Sequence, residues 1–264
     1  MKADVEEAVA VAKPKPSPAA TKDVVWREVV SWFWVIVAFI LIEGTMVQAR
    51  VIPSGSMENT VLVGDHLIVS RFGYDAGVPF TGIHTPLWRN PKQQQIIVFR
   101  APLADQGNPD FIKRCIGIPG DRIKIVGGQV YVNGVRLNEP YALHVPGFAD
   151  LPAENFPDRA AELPMNDRPE WLDELRQHTV NGEMVVPPGQ YFMMGDNRDN
   201  SNDGRFWGFV PRENIIGTPV IIYMSIDAPE QVWGPGFAVD RFETYASVLL
   251  HPGKVRWRRL FRPF

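Results

Sequence analysis

The 264-residue chain has one cysteine, Cys115, so no internal disulfide is possible. An oxidising compartment is thereby neither required nor excluded. The five histidines are scattered, and Cys115 has no partner at metal-ligand spacing, so the sequence suggests neither a metal site nor a cofactor. Charge of one sign is also scarce. A net charge of -3 gives the whole molecule no electrostatic case for nucleic acid, which is not expected as a partner. What the chain does have is 22 glycines and 24 prolines, a composition of many turns and short strands, with enough apolar residues to bury a core.

Residues 1–23, centred on Lys13-Pro14-Lys15-Pro16-Ser17-Pro18, read as a disordered tail. An apolar run follows from Val29 to Ile42, broken only by Ser31, with Trp26, Trp32 and Trp34 at its first end as interfacial anchors. The run is short of the ~20 residues of a membrane span. Extension through Val47 supplies the length but includes Glu43, and Arg50 marks the exit. A membrane anchor over 29–49, a cleaved export signal ending near Val47-Gln48-Ala49 and a buried soluble helix all fit this stretch. As an anchor, the preceding Lys13, Lys15, Lys22 and Arg27 put residues 1–28 in the cytoplasm and the rest of the chain on the outer side.

Beyond the anchor the pattern is mainly β. Strands are expected at His66–Arg71, Gln95–Arg100 and Phe111–Ile116, with 72–94 an irregular excursion carrying Phe72, Tyr74, Phe80 and Trp88. Arg122–Val126 and Gln129–Val132 form a hairpin, and Asn133-Gly134 turns into Val135-Arg136-Leu137. A short helix is expected at Pro169–His178, capped by Asn166 or Asp167. Gln190–Met194 and Asn214–Met224 complete the strands. This gives an antiparallel, barrel-like β core over 50–120 and 185–226, a small β-rich insert over 121–184 set apart from the chemistry, and a C-terminal extension over 227–264. The extension's basic, aromatic tail over 254–264 reads either as a membrane contact or as a solvated end.

Three stretches carry candidate chemistry. Ile52-Pro53-Ser54-Gly55-Ser56-Met57 presents two hydroxyls around a glycine; it is either a simple turn or a nucleophile awaiting a base. In Phe111–Ile116 alternation puts Phe111, Lys113 and Cys115 on one face. If that face is buried, desolvation lowers the lysine's pKa and yields a neutral amine able to act as a base; otherwise Lys113 is a snorkelling edge residue. The Gly195–Gly208 loop, dense in Asx and glycine, holds Ser201 and an Asp203/Arg205 pair spaced for an ion pair.

Taken together, Pro53-Ser54-Gly55-Ser56-Met57, Gly64-Asp65, Ile112-Lys113-Arg114 with Gly117–Asp121, and Gly195 to Pro211 resemble bacterial signal peptidase I in motif and in order, over roughly residues 29–224. That family comprises membrane-bound Ser-Lys endopeptidases that remove signal peptides. The resemblance implies Ser56 as nucleophile, Lys113 as general base, and the Ser56 N–H with the Ser54 hydroxyl as oxyanion hole. It implies Ser201 as the residue that orients the lysine, Asp203 and Arg205 as support for their loop, and a substrate pocket drawing on Ile52, Pro53, Val61, Phe111 and Ile112. It also implies the bacterial plasma (inner) membrane as location, and the bilayer and the signal peptides of exported preproteins as partners. Glu58-Asn59 departs from the usual residue-Pro, and Gly204 stands where a serine is common.

Overall fold

The computed structural model describes residues 18–78, 81, 83–103, 106–107, 109–145, 151–164, 168–234 and 238–264. It divides into two compact units, 1–42 and 43–264. The first carries most of α1, Pro18–Thr45. Proline fits the first helical turn, where its missing N–H costs nothing. Residues 18–28, expected as tail, are therefore helical, while 1–17 lie outside the described residues. Val24–Thr45 is long and apolar enough to cross a membrane, at about 1.5 Å rise per residue over a ~30 Å hydrocarbon core. The helix stops at Thr45, short of the expected residue 49, because Val47–Val51 extends instead as strand β1.

The second unit is mainly antiparallel β. Its strands in chain order are β1, then β2 Asp65–Ser70, β3 Asp75–Gly77, β4 His84–Pro86, β5 Ile96–Arg100, β6 Asp110–Gly117, β7 Arg122–Val126, β8 Gln129–Val132, β9 Val135–Arg136, β10 Thr179–Val180, β11 Glu183–Val185, β12 Gln190–Met194, β13 Phe209–Pro211, β14 Ile215–Ser225 and β15 Arg262–Pro263. One sheet runs β1-β2-β14-β5-β6-β12-β13, with β15 on β14; a second runs β10-β11-β7-β8-β9. β14 is the hinge of the first sheet. Its register shifts let the early half pair β5 and the later half pair β2, which curls the sheet. The 72–94 excursion is less irregular than expected, since β3 and β4 pair within it and Tyr74 is buried.

The 121–184 insert packs against the first sheet. Ile123, Ile125, Val130, Phe156 and Trp171 from 121–184 share one apolar core with Ile116, Phe192, Met194 and Phe209. The expected helix is α2, Trp171–Gln177; Glu170 caps it without a side-chain bond, and Asn166 and Asp167 lie outside the described residues. After β14 the chain forms α4, Glu230–Trp233, and α5, Ala238–Leu250; α3 precedes it at Gly204–Trp207. The basic tail docks on the domain: Arg259 donates to Asp65 and to the Thr60 carbonyl, and Arg256 donates to the Val63 carbonyl and Asp227.

Candidate active site

Ser56 sits in a one-turn 3-10 helix, Gly55–Met57, directly after β1. Met57 anchors that turn by full burial in a cluster with Ile52, Val61, Leu67 and Ile112. A second clamp comes from a residue 141 positions away. The Asn197 N–H donates to the Ser56 carbonyl at 3.1 Å, and its Nδ2 donates to the Gly55 carbonyl at 3.2 Å and to Glu58 at 3.3 Å. Just downstream, Thr60 Oγ1 donates to Asp196 at 2.5 Å, and Arg114 grips the same carboxylate through Nε at 2.8 Å and Nη2 at 2.6 Å. Paired N–H groups fix both distance and plane, so this bond holds β6 to the loop after β12.

Lys113 lies on β6 opposite Ile97 of β5. Only 4% of it is exposed, and Nζ stands 2.5 Å from Ser56 Oγ. Burial pushes its pKa down from 10.5 to about 8; Asp203 and Asp196 pull it up and Arg205 pulls it further down. Desolvation dominates because an ammonium loses more hydration than nearby carboxylates restore. Ser54 Oγ is 3.4 Å from Ser56 Oγ. Two hydroxyls and a low-pKa amine thus converge, a constellation able to generate an alkoxide-like nucleophile at neutral pH.

The 195–208 loop walls the site. Asp203 caps α3 and accepts from the Gly195 N–H at 3.0 Å and from Arg205 Nε at 2.9 Å. Arg205 also reaches Glu154 of the insert at 3.2 Å, and Arg198 pairs with Glu139. Gly195 has no room for a side chain: a Cβ there would come 2.2 Å from Ser201 Oγ and 2.5 Å from the Ser56 carbonyl oxygen. The bare Gly195 thus lets Ser201 and the Ser56 backbone crowd to the same point. The Ser201 hydroxyl is buried and has no hydrogen-bond partner among the described residues, so the structure shows no bond from it to Lys113.

Of the expected pocket residues, Ile52, Val61 and Ile112 are buried beneath the turn, Phe111 is half-buried, and Pro53 is exposed. Val61 has no exposed surface and acts as a floor. The Phe111 ring lies 5.5 Å from Lys113 Nζ and supplies part of the apolar wall that desolvates it. His144, Glu154 and Asp199 bring one ligand atom each within 4.8 Å of one another. Glu154 is already paired with Arg205, so this trio is part of the ion-pair network around the loop.

A model of the family described as signal peptidase, peptidase S26, matches residues 25–224. The chain belongs to that signal peptidase family. Signal peptidase I of Pseudomonas aeruginosa is 33% identical over 221 residues, covering 79% of this chain and 75% of that protein. Signal peptidase I of Aquifex aeolicus is 34% identical over 241 residues, covering 77% and 86%. A solved signal peptidase I from Enterococcus faecalis V583 aligns with 49% of this chain and 97% of its own, at 24% identity and a TM-score of 0.32.

Within this signal peptidase family member, the residues that sequence reasoning missed are Asn197, Thr60, Asp196 and Glu154. All four hold backbone or pair with other side chains, and such work leaves no spacing signal. Asn197 was legible only as one more polar residue in an Asx-rich loop, and Glu154 as a charge in the insert.

Proposed function

We propose that this peptidase is a membrane-anchored endopeptidase that removes signal peptides from exported preproteins by Ser-Lys acyl-enzyme catalysis, cutting after small residues. The 2.5 Å approach of a buried amine to the Ser56 hydroxyl carries this reading. Neutral Lys113 takes the Ser56 proton as Oγ attacks the scissile carbonyl. The oxyanion meets the Ser56 N–H and the Ser54 hydroxyl, donors worth roughly 3–4 kcal/mol each in such sites. The lysine ammonium then protonates the leaving amine. Lys113, neutral again, activates a water that releases the acyl group.

The substrate lies extended against the sheet, with alternate side chains toward a pocket drawing on Ile52, Pro53, Val61, Phe111 and Ile112. Ser201, Asp203 and Arg205 keep the loop wall in place beside Lys113. α1 anchors the protein in the bacterial plasma membrane with its N-terminus in the cytoplasm and the catalytic unit on the outer face. Incubation of the full chain with a purified preprotein, followed by sequencing of the new N-terminus, tests the reading. A single cut after a small residue is expected, with no cut by Ser56→Ala; cleavage that survives Ser56→Ala refutes it.

A further inference from the structure

A second polar site lies at the C-terminal end of α1, and Ser56 is not part of its lining. A pocket of about 400 Å³ is lined by Glu43, Arg50, Arg71, Arg100 and Asp110, with Val78 and Ile83 beside them. That volume is within the roughly 300–1,000 Å³ of small-molecule sites. Four of these residues carry a buried polar atom with no hydrogen-bond partner among the described residues: Glu43 Oε2, Arg50 Nε, Arg71 Nε and Arg100 Nη1. Such atoms are costly unless a ligand or solvent satisfies them.

The charges are balanced but unevenly placed. Arg50 pairs one-to-one with Asp110 at 2.5 Å. Arg71 and Arg100 share a single carboxylate, Asp75, at 2.5 Å and 3.5 Å, which leaves cationic excess at that end. Glu43 has no salt-bridge partner among the described residues, which leaves anionic excess at its own position. Three guanidiniums against three carboxylates do not favour a plain anion. They favour a ligand that carries both signs a short distance apart. Guanidinium N–H groups match phosphate oxygens, and a carboxylate with a free oxygen matches a primary ammonium.

We propose that this pocket binds the phosphoethanolamine headgroup of a phospholipid, with the phosphate toward Arg71 and Arg100 and the ammonium toward Glu43. The lipid source follows from position: Glu43 is two residues from Thr45, where the apolar helix ends, and headgroups lie at the ends of spans. The assignment rests on the membrane-anchored reading above.

Native mass spectrometry of the delipidated full chain in detergent tests it, with titration by phosphatidylethanolamine, phosphatidylglycerol and phosphatidylcholine. Phosphatidylethanolamine is expected to bind at least tenfold tighter than either other lipid, since choline has no N–H and glycerol no charge. Arg100→Gln should weaken ethanolamine and glycerol lipids alike by about tenfold, whereas Glu43→Gln should erase only the preference between them. Soluble glycerophosphoethanolamine should compete weakly; binding as tight as the lipid's would make a free metabolite the occupant and overturn the lipid assignment. Equal binding of all three lipids, a phosphatidylglycerol affinity equal to that for phosphatidylethanolamine, or two silent variants would also overturn it. Hydrolysis of a water-soluble peptide by each variant serves as the folding check. In the unsubstituted chain it also separates the two readings: no lipid preference with intact hydrolysis sinks this proposal alone, and a clear lipid preference without any hydrolysis sinks the protease reading.

Discussion

The pH dependence of peptide hydrolysis exposes the chemistry most directly. With a pKa of about 8, Lys113 is about 90% neutral at pH 9, about 10% at pH 7 and about 1% at pH 6. If the neutral amine takes the Ser56 proton, kcat/KM should fall about tenfold per unit below pH 7 and by roughly 90-fold between pH 9 and pH 6. An unburied lysine would behave otherwise. At its ordinary 10.5 it would still be only about 3% neutral at pH 9, and the rate would climb tenfold per unit through that point. The measured midpoint therefore reports burial as well as identity. The assay is hydrolysis of a peptide substrate without titratable side chains by the detergent-solubilised full chain, from pH 5.5 to 10. A profile flat from pH 6 to 9 refutes the lysine base, and a midpoint above pH 10 refutes its desolvation.

Burial of the same amine has a cost in stability. Lys113 is lowered from 10.5 to about 8 in the fold, so below pH 8 the folded state carries the whole penalty, ~3 kcal/mol at ~1.4 kcal/mol per unit; the penalty fades as pH rises from 8 to 10.5. Lys113→Met should accordingly be inactive yet more stable at pH 7 by up to ~3 kcal/mol, with most of that gain gone by pH 10, read from denaturant midpoints at both pH values; an unchanged or lower midpoint at pH 7 counts against the account. Ser54→Ala should lower kcat by roughly 10²–10³ with little change in KM, as loss of one oxyanion donor does; a change confined to KM would place Ser54 in binding instead. Gly195→Ala should abolish hydrolysis, because its Cβ meets Ser201 and the Ser56 carbonyl at 2.2 and 2.5 Å, and a variant of near-native rate would mean the loop yields freely.

Much of the site could be read from residue order alone, for particular reasons. Strand alternation places Lys113 between Phe111 and Cys115, so its burial follows once that face meets a core. The two-residue spacing of Asp203 and Arg205 suits a local ion pair, which forms. Contacts across long separations were not legible. Nothing near Ser56 announces that Asn197 clamps its turn, and nothing in 121–184 announces that Glu154 reaches Arg205, because long-range partners are chosen by the folded sheet. The helix start was misplaced for a local reason. The Lys-Pro composition before residue 18 masks how well Pro18-Ala19-Ala20 opens a helix. The tail's anchoring was not legible either, because composition weighs Arg256 and Arg259 as solvent charges, whereas both donate to backbone carbonyls and to a carboxylate, Arg256 to exposed Asp227 and Arg259 to buried Asp65.

Arg259 holds Thr60, four positions past Ser56, across 199 residues of sequence. A ribosome delivers those two ends at very different moments. The segment that bears Ser56 emerges early, and its Thr60 end gains the Arg259 bond only once the chain beyond β14 has been made and folded back. Completion of the bonding around Ser56 is thus a late event in the life of each new molecule, and a nascent chain cut short before Arg259 carries Ser56 and Lys113 without the bond from Arg259 to the Thr60 carbonyl.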